Sequence, residues 1–407
     1  MLTPETPSAP HRAKGRAMER VATPARRSSA VVFRDIEVVP GDAYRLRSIL
    51  TNGGPVWPRF HRQTTARFMQ GGVYVDRPVV PLGLPLQVIE RPCVWGGYAI
   101  HHFGHLVADH MTRVLEGRVT RPDDLFLFLN RPGEPVETMP DYIWQVMDWY
   151  GLARAQVHMV TVPVLARELR CYPQAEPFGS GPPSADYLSL LAENARQRGL
   201  QPQPADLVYV GRVGMLALGK GGLAGEAYLT DVLKGLGVQV LDPAQASLTE
   251  QLAAYAGAKV LVFAEGSAMH GRQLLGRLEQ QIVVLNRRKG ARLAEAALVA
   301  RCDQVTYVEA SGQTIGMGTL DTLTHSAQGL SLLDLDAVFA SFARFGVDLQ
   351  GVFDPVAFAA AVVKDAESWL YAQAFTLGAA VFDLDEAYGQ LHAKGVPVRR
   401  VYEAEGD

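Results

Sequence analysis

Short apolar runs alternate with helical patterns through the second half of the chain. Ser247-Leu-Thr-Glu250 is a capping box, in which the serine and the glutamate satisfy each other's backbone N–H groups at a helix start. Strands that alternate with helices at this spacing predict βαβ units and a parallel sheet. The predicted elements are the strands Leu207–Gly211, Val238–Leu241, Lys259–Phe263 and Gln281–Leu285, and helices over Glu226–Leu236, from Ser247 to about Tyr255 and from Gly266 to about Leu278.

The pattern is less regular on either side of this region. From Val31 to about Asn130, strand-like runs alternate with Pro and Gly breaks, and Leu125–Leu129 is predicted as a buried strand. Helices are expected over 140–152 and 185–198. After about residue 320 the pattern turns helical again, and it leaves open which half these helices cover. Their predicted starts are Ser331-Leu-Leu-Asp334, Asp354-Pro355 and Asp383.

One segment, Tyr98–Leu115, concentrates four of the chain's ten histidines between His101 and His110. At about 100° per residue, a helix places its apolar residues on one arc and its polar residues on another. We therefore expect a packing surface backed by a row of titratable groups that face away from it. The polar arc contains His101, His102, His105, Asp109, Thr112 and Arg113.

Composition narrows the class of protein. A chain of 407 residues with 48% hydrophobic residues is long enough for two domains. The net charge of −3 gives no overall attraction to nucleic acid, and three scattered cysteines favour a reducing compartment. We find no apolar run of membrane-spanning length and no secretory apolar core in the first 28 residues, so we expect a cytoplasmic protein. Residues 1–28 are predicted to be a disordered basic arm; weak attraction to anionic surfaces is the alternative.

Loops at the strand ends carry the candidate ligand-binding residues, because ligands bind beyond the carboxyl ends of parallel strands. Arg212 and Lys220 follow the first strand, Glu265-Gly-Ser267 follows the third, and Asn286-Arg-Arg-Lys289 follows the fourth. Backbone N–H groups near Ser267 and the two nearby cations would suit a diphosphate. The glycines match no dinucleotide fingerprint, so a flexible connection is the plainer interpretation of the Gly-rich loop.

The histidine segment also allows two interpretations. His101, His105 and Asp109 could share a metal ion, since histidines four apart lie on one helix face. We favour a general base or a hydrogen-bonding role, and we assign no metal ligand.

Together these residues resemble glycosyltransferase family 61, the DUF563 group. The resemblance rests on His105-x-x-x-Asp109 and on an ordered set between Leu207 and Arg288. That set comprises Arg212, Glu226, Gly237, Asp242-Pro243, Ser247–Gln251, Val260–Phe263 and Gly266-Ser-Ala268. Two positions depart from the family pattern: Ala264-Glu265-Gly266 stands where many relatives have Pro-His-Gly, as in bacterial members that also carry His270, and Lys220 replaces an expected arginine.

The resemblance implies an α/β fold of GT-B type, with two Rossmann-like domains that face a cleft and a C-terminal helical extension. The expected boundaries are 29–200 for the acceptor-side domain, 201–320 for the nucleotide-sugar domain and 321–407 for the extension. It implies an inverting transfer of a sugar from a nucleotide-sugar donor to a carbohydrate or glycoconjugate acceptor, in surface polysaccharide assembly in bacterial relatives. No cofactor beyond the donor is expected, and a role for a divalent metal stays open.

The resemblance also implies roles for individual residues, and the sequence leaves two rival functions open. His105, Asp109 and His101 are the catalytic candidates, and the sequence does not decide whether His105 or Asp109 is the base. The donor would be bound by Arg212, Lys220, Glu265, Gly266, Ser267 and His270. We expect no nucleic-acid partner and at most peripheral membrane association; a homo-oligomer is allowed. The rival functions are a non-catalytic binding relative of the same fold and a metal-dependent hydrolase that uses the His101–Asp109 face.

Overall fold

The computed structural model describes residues 30–41, 53–70, 73–81, 86–130, 134–176, 181–316, 328–376 and 384–400. The predicted basic arm lies outside these ranges, as do Gly71, Gly72 and Asp383. The fold is mixed α/β, as predicted, with two main sheets. None of the helices in the described ranges is long and apolar enough to cross a membrane.

The first sheet has seven strands and is built from residues before Tyr172. Its central strands run parallel to one another, and Val31–Val39 joins antiparallel to Val164–Cys171. Across the sheet the order is Gly54–Pro55, Val31–Val39, Val164–Cys171, Cys93–Tyr98, Leu125–Leu129 and Val157–Met159, with Gln87–Ile89 also beside Val164–Cys171. A short hairpin pairs Met69–Gln70 with Val73–Tyr74.

The second sheet is the predicted parallel one, and it has five strands where the sequence predicted four. The additional strand, Gln304–Glu309, follows the helix Glu295–Val299 and has only partly buried residues, so it lacks a strong apolar run. The sheet order is Gln239–Leu241, Ala205–Val210, Ala258–Ala264, Gln281–Asn286 and Gln304–Glu309. Because all five strands are parallel, their carboxyl ends meet at one edge.

Helices cover both sheets, and all except Glu295–Val299 were expected, with bounds close to the predicted ones; the helix predicted from Gly266 to about Leu278 is the 3₁₀ helix Ser267–Leu274. They are Asp141–Trp149, Ala185–Gln197, Glu226–Gly235, Leu248–Gly257, Glu295–Val299, Leu335–Ala343, Pro355–Thr376 and Leu384–Ala393. The capping box is confirmed: Ser247 accepts from Glu250 N–H, and Glu250 accepts from Ser247 N–H. Ser331 lies in the strand Leu330–Leu333, so the cap of the next helix is Asp334 instead.

The C-terminal helices pack on the second half, which the sequence left open. Val338 and Phe342 join the core beneath the parallel sheet. Leu335–Ala343 therefore covers one face of that sheet. Pro355–Thr376 packs with Leu216 and Ala224 around the Gly-rich loop, and the Gln373 side-chain amide donates to Gly219 O at 3.0 Å.

The largest core cluster contains residues from both halves, including Val94, Phe126, Val208 and Phe263. Polar contacts also join the halves: Trp149 Nε1 donates to Leu274 O at 3.3 Å, and Leu248 N–H donates to Gln145 Oε1 at 2.6 Å. The two sheets are thus held against each other by one continuous interior.

Candidate active site

The histidine segment is helical from Phe103 to Thr120, but it is not the regular amphipathic helix that we predicted. A π-helical turn at Leu106–His110 and a 3₁₀ turn at Met111–Arg113 separate two α-helical parts. Such π turns occur often at functional sites, because they change the direction in which side chains point.

Half of the expected polar arc is buried, which corrects our prediction of a row facing away from the packing surface. Asp109, Thr112 and Arg113 are all inside the protein. Arg113 is buried because its guanidinium donates to Ala66 O at 3.0 Å and Arg67 O at 3.1 Å and stacks over Phe68. Of the arc, His102 is exposed, and His101 and His105 are partly exposed.

His105 and Asp109 form a hydrogen-bonded pair within this segment. His105 Nδ1 lies 2.9 Å from Asp109 Oδ2 and 2.8 Å from Gln70 Nε2. A carboxylate oxygen accepts, so we place the proton on Nδ1, donated to Asp109, with the Gln70 amide turned so that its oxygen instead of its NH₂ group faces the protonated nitrogen. His105 then carries its lone pair on Nε2, and its side chain is 41% exposed whereas that of Asp109 is 2% exposed. A substrate can therefore reach the histidine directly.

His101 has a different environment. Its Nδ1 lies 2.9 Å from Glu134 Oε2 and its Nε2 lies 3.0 Å from Asn130 Oδ1. Both ring nitrogens therefore have partners in the wall of the protein. The geometry suits a residue that fixes the turn before the histidine segment better than one that accepts a substrate proton.

The start of the histidine segment packs directly on the 3₁₀ helix Ser267–Leu274 of the second half. A Cβ atom built on Gly104 would lie 2.9 Å from Cδ2 of His270 and 3.2 Å from Cε1 of His102. Only a glycine allows this close approach. His105 and the predicted donor-side loop are thereby brought to one place.

Two histidines at this contact, His102 and His270, have lowered pKa values. Desolvation by the surrounding protein, followed by the nearby His105 and His270, lowers the pKa of His102 to about 4, although part of its surface is exposed. Burial also lowers the pKa of His270 to about 4, although its hydrogen bond to Gln273 raises it. Lys220 contributes to the lowering at His102, so it lies near this group. Neutral imidazoles can accept hydrogen bonds from hydroxyl groups at pH 7.

Three arginines surround one buried glutamate at the carboxyl ends of the parallel strands. Glu265 is fully buried and accepts from the N–H groups of Arg287 at 3.1 Å and Arg288 at 3.0 Å. It also forms an ion pair with the Arg288 guanidinium. Its carboxylate therefore holds the turn after the fourth strand, at the position where we expected it to meet the donor.

Arg287 and Arg288 are functional candidates that the sequence reasoning noted at a strand end but did not include in the site. Burial, then Arg212, lowers the pKa of Arg287 to about 10. Both Arg212 and Arg288 act electrostatically on Arg287, so the three cations form one group around a single carboxylate. The signal in the sequence was the doubled arginine directly after an apolar strand.

Arg212 is held in place by several contacts. Its backbone N–H donates to Glu226 Oε1 at 2.8 Å, and its guanidinium donates to Gly221 O at 2.8 Å. Burial raises the pKa of Glu226 to about 7, although bonds from Tyr209 and Arg212 lower it. Gly266 and Ser267 lie next to this guanidinium, at the start of the 3₁₀ helix.

A cleft of about 550 Å³ opens beside the arginines, between the two halves. Arg212 and Ser267 line it from the second half, together with the loop Asp242–Leu248. Phe103 and Tyr142 line it from the first half, and their rings lie 5.8 Å apart in an edge-to-face arrangement. The cleft is thus lined by Arg212 and by an aromatic pair.

Within the described parts of the chain, no group of three or more His, Cys, Asp and Glu side chains is placed to hold a metal ion.

Comparison with known proteins assigns this site to a family. Residues 103–272 match the model for Glycosyltransferase 61. This region belongs to the glycosyltransferase 61 family. The match begins at Phe103, next to His102, and ends at Arg272, so it includes His105, Asp109 and the strand-end loops through His270. The predicted resemblance is confirmed over these residues, and the matched family is one of glycosyltransferases.

The other comparisons add little to the glycosyltransferase 61 assignment. A search of curated proteins finds no match for this chain. Among solved structures, the flavodiiron protein from Giardia intestinalis is similar at 12% identity over 41% of this chain, with a TM-score of 0.16. The chain spans 47% of that protein's length. A likeness this weak carries no argument about fold or function.

Proposed function

We propose that this glycosyltransferase transfers a sugar from a nucleotide-sugar donor to a carbohydrate or glycoconjugate hydroxyl, with inversion at the anomeric carbon. The observation that carries the proposal is the packing of the His105–Asp109 segment on the helix Ser267–Leu274. This contact supports the proposal because it joins the accessible His105 of the first half to the helix of the second half that begins next to Arg212. The arrangement favours a GT-B-like site, with residues 29–200 on the acceptor side and 201–320 on the donor side.

Arg212, Arg287 and Arg288 would bind the donor diphosphate. Three guanidinium groups around one carboxylate leave a net positive charge, largely shielded from water. As the bond between the sugar and the diphosphate breaks, negative charge grows on the leaving oxygen. Preorganised cations stabilise that charge without having to reorient. Glu265 would act by fixing Arg287 and Arg288, and Ser267 and Lys220 would add donors at the rim.

The nucleoside would occupy the cleft of about 550 Å³ beside Arg212. A planar base can stack on an aromatic ring, and Tyr142 with Phe103 provides such a surface. Gln145 and Gln251 line the same cleft and offer polar groups to the base or the ribose. The sugar of the donor would then lie on the side of Arg212 that faces His105.

His105 is the proposed general base. The acceptor oxygen attacks the anomeric carbon and forms the new C–O bond, while the bond from that carbon to the diphosphate oxygen breaks. The acceptor proton passes to Nε2 of His105, and the nucleoside diphosphate leaves with the bonding electron pair. Asp109 accepts from Nδ1–H and stabilises the imidazolium that forms. Asp109 is too deeply buried to take the proton itself.

A donor panel tests the proposal. Isothermal calorimetry with several nucleotide sugars should give binding to at least one, and Arg212→Met should weaken it by roughly 10-fold or more, the loss expected for a charged hydrogen bond. Lys259→Met is the matched control, because its exposed ion pair with Asp206 lies at the opposite, amino end of the parallel strands. NMR of the product should show the inverted anomer. No binding by any nucleotide sugar would contradict the proposal and favour another ligand.

A further inference from the structure

Two glutamine side chains line the cleft, one from each half of the protein. Gln145 lies on the helix Asp141–Trp149, and Gln251 lies on the helix Leu248–Gly257. Each side-chain amide is bonded at one end to the backbone of the loop Asp242–Leu248, which also lines the cleft. The two amides are therefore held beside the same loop.

The orientation of the Gln145 amide is fixed by its partner. The backbone N–H of Leu248 donates to Oε1 of Gln145 at 2.6 Å. A backbone N–H can only donate, so the carbonyl oxygen must face Leu248 and the NH₂ group must be turned away from it. No described residue accepts from this NH₂ group, and it is not sealed in the interior. Gln145 therefore offers a hydrogen-bond donor to the cleft that it lines.

Gln251 has the opposite arrangement. Its Nε2 donates to Pro243 O and to Ala246 O, both at 3.0 Å. Carbonyl oxygens can only accept, so the NH₂ group must face them and the amide cannot be turned around. Gln251 is only 7% exposed, yet its Oε1 is not sealed in the interior and accepts from no described residue. Gln251 therefore offers a hydrogen-bond acceptor to the same cleft.

A fixed donor beside a fixed acceptor can discriminate between nucleobases. Uracil carries a carbonyl oxygen next to a ring N–H, whereas cytosine carries an NH₂ group next to a ring nitrogen with a lone pair. Guanine and adenine differ in the same way at the corresponding positions. At a given position of the base, a protein donor and acceptor fit one order and oppose the other, because two donors or two acceptors would face each other.

We propose that Gln145 and Gln251 select the base of the nucleotide: the NH₂ group of Gln145 donates to the edge of the base, and Oε1 of Gln251 accepts from the neighbouring N–H group. This role deepens the proposed function and rests on it, since it requires that a nucleotide binds in the cleft. Because the two residues belong to different halves, the base is selected by the assembled cleft and not by the second half alone.

Calorimetry with free nucleoside diphosphates tests the selection directly. UDP is compared with CDP, and GDP with ADP, because the members of each pair differ in the order of donor and acceptor. We expect Kd to differ by at least about 10-fold within the pair that binds more tightly. Equal Kd values within both pairs would overturn the role of the glutamines and leave the transfer reaction intact. Binding of none of the four would overturn both.

The variant Gln145→Glu tests the hydrogen-bond donor. Glutamate keeps an oxygen for the N–H of Leu248 but places a second oxygen where the NH₂ group was. The ratio of the two Kd values within the selected pair should fall by at least about 10-fold. Inorganic diphosphate, which has no base, reports the effect of the added negative charge alone. An unchanged ratio in this variant would overturn the assignment.

The variant Gln251→Met tests the acceptor, and Gln280→Met is its matched control. Gln280 is also a buried glutamine whose Nε2 donates to two backbone carbonyls, but its Oε1 accepts from Arg272 and it does not line the cleft. With folding checked by thermal unfolding, Gln251→Met should lose the discrimination within the pair and Gln280→Met should keep it. An equal loss in both variants would show a general structural effect and overturn the role of Gln251.

Discussion

A Cβ atom built on Gly266 would lie 1.9 Å from Nη1 of Arg212. The backbone of Gly266 is extended, with φ 173° and ψ −177°, a conformation open to any residue. Glycine is therefore required at this position by the close approach of the Arg212 side chain, and not by the backbone conformation. The guanidinium of Arg212 lies directly across the loop that follows the third parallel strand.

This relationship predicts that Gly266→Ala displaces Arg212 while the chain still folds. The new methyl group cannot share space with the guanidinium, so the contact between Arg212 and Gly221 must shift. We expect donor KM to rise by roughly 10- to 100-fold, as one charged hydrogen bond is lost. Gly389→Ala is the control, since a Cβ there meets nothing within 4 Å. Unchanged donor KM in Gly266→Ala would show that Arg212 is not a donor ligand.

We predict that the free energy of unfolding depends on pH because of the buried Glu226. Burial raises its pKa from 4.5 to about 7, so the folded state binds the proton more tightly than the unfolded state does. The contribution to stability is fully present below about pH 4.5 and is lost as pH rises through about 7. At about 1.4 kcal/mol per pKa unit, the loss is about 3 kcal/mol.

The variant Glu226→Gln should remove this dependence, because glutamine keeps an oxygen for Tyr209 and Arg212 but carries no proton to lose. Urea unfolding of both proteins at pH 5 and at pH 8 measures how the free energy of unfolding changes with pH. Relative to the wild type, the variant should gain about 2.5 kcal/mol between the two pH values. An equal pH dependence in both proteins would contradict the assignment.

We predict that the affinity for the donor depends on the aromatic ring of Tyr142. If the base stacks on this ring in the cleft, Tyr142→Ala should raise the Kd of the free nucleoside diphosphate by roughly 10-fold, at about 1–3 kcal/mol for a base on an aromatic ring. Tyr142→Phe retains the ring and should bind within about twofold of the wild type. Calorimetry compares them, and equal Kd values in Ala and Phe variants would place the base elsewhere.

Local patterns predicted the strands and helices around the strand-end loops well. Ser247 and Glu250 mark a helix start because each satisfies the other's backbone group, which needs no distant partner. Parallel strands bring their carboxyl ends to one edge, so Arg212 and Ser267 were expected together from the order of elements alone. The arginines after the fourth strand follow the same rule, and the structure adds them around Glu265.

The histidine segment shows what sequence periodicity could not provide. A helical projection places Asp109 and Arg113 on a polar arc, but they contact partners that are distant in the sequence, such as Gln174 and Ala66. The projection also assumes a regular helix, whereas the segment contains a π turn at Leu106–His110. Likewise, Gln273 and Glu176 are 97 residues apart, so their hydrogen bond could not be read from spacing.

The turnover of His105→Ala and Asp109→Asn tests the account most directly, with a competent donor and acceptor and with folding checked by thermal unfolding. His392→Ala, at an exposed position of the last described helix, is the control. We expect kcat to fall by about 10²- to 10⁴-fold in each variant, because a general base contributes that much. The double variant should be little worse than either, since the two residues act as one unit. Near-wild-type turnover in both folded single variants would contradict the account.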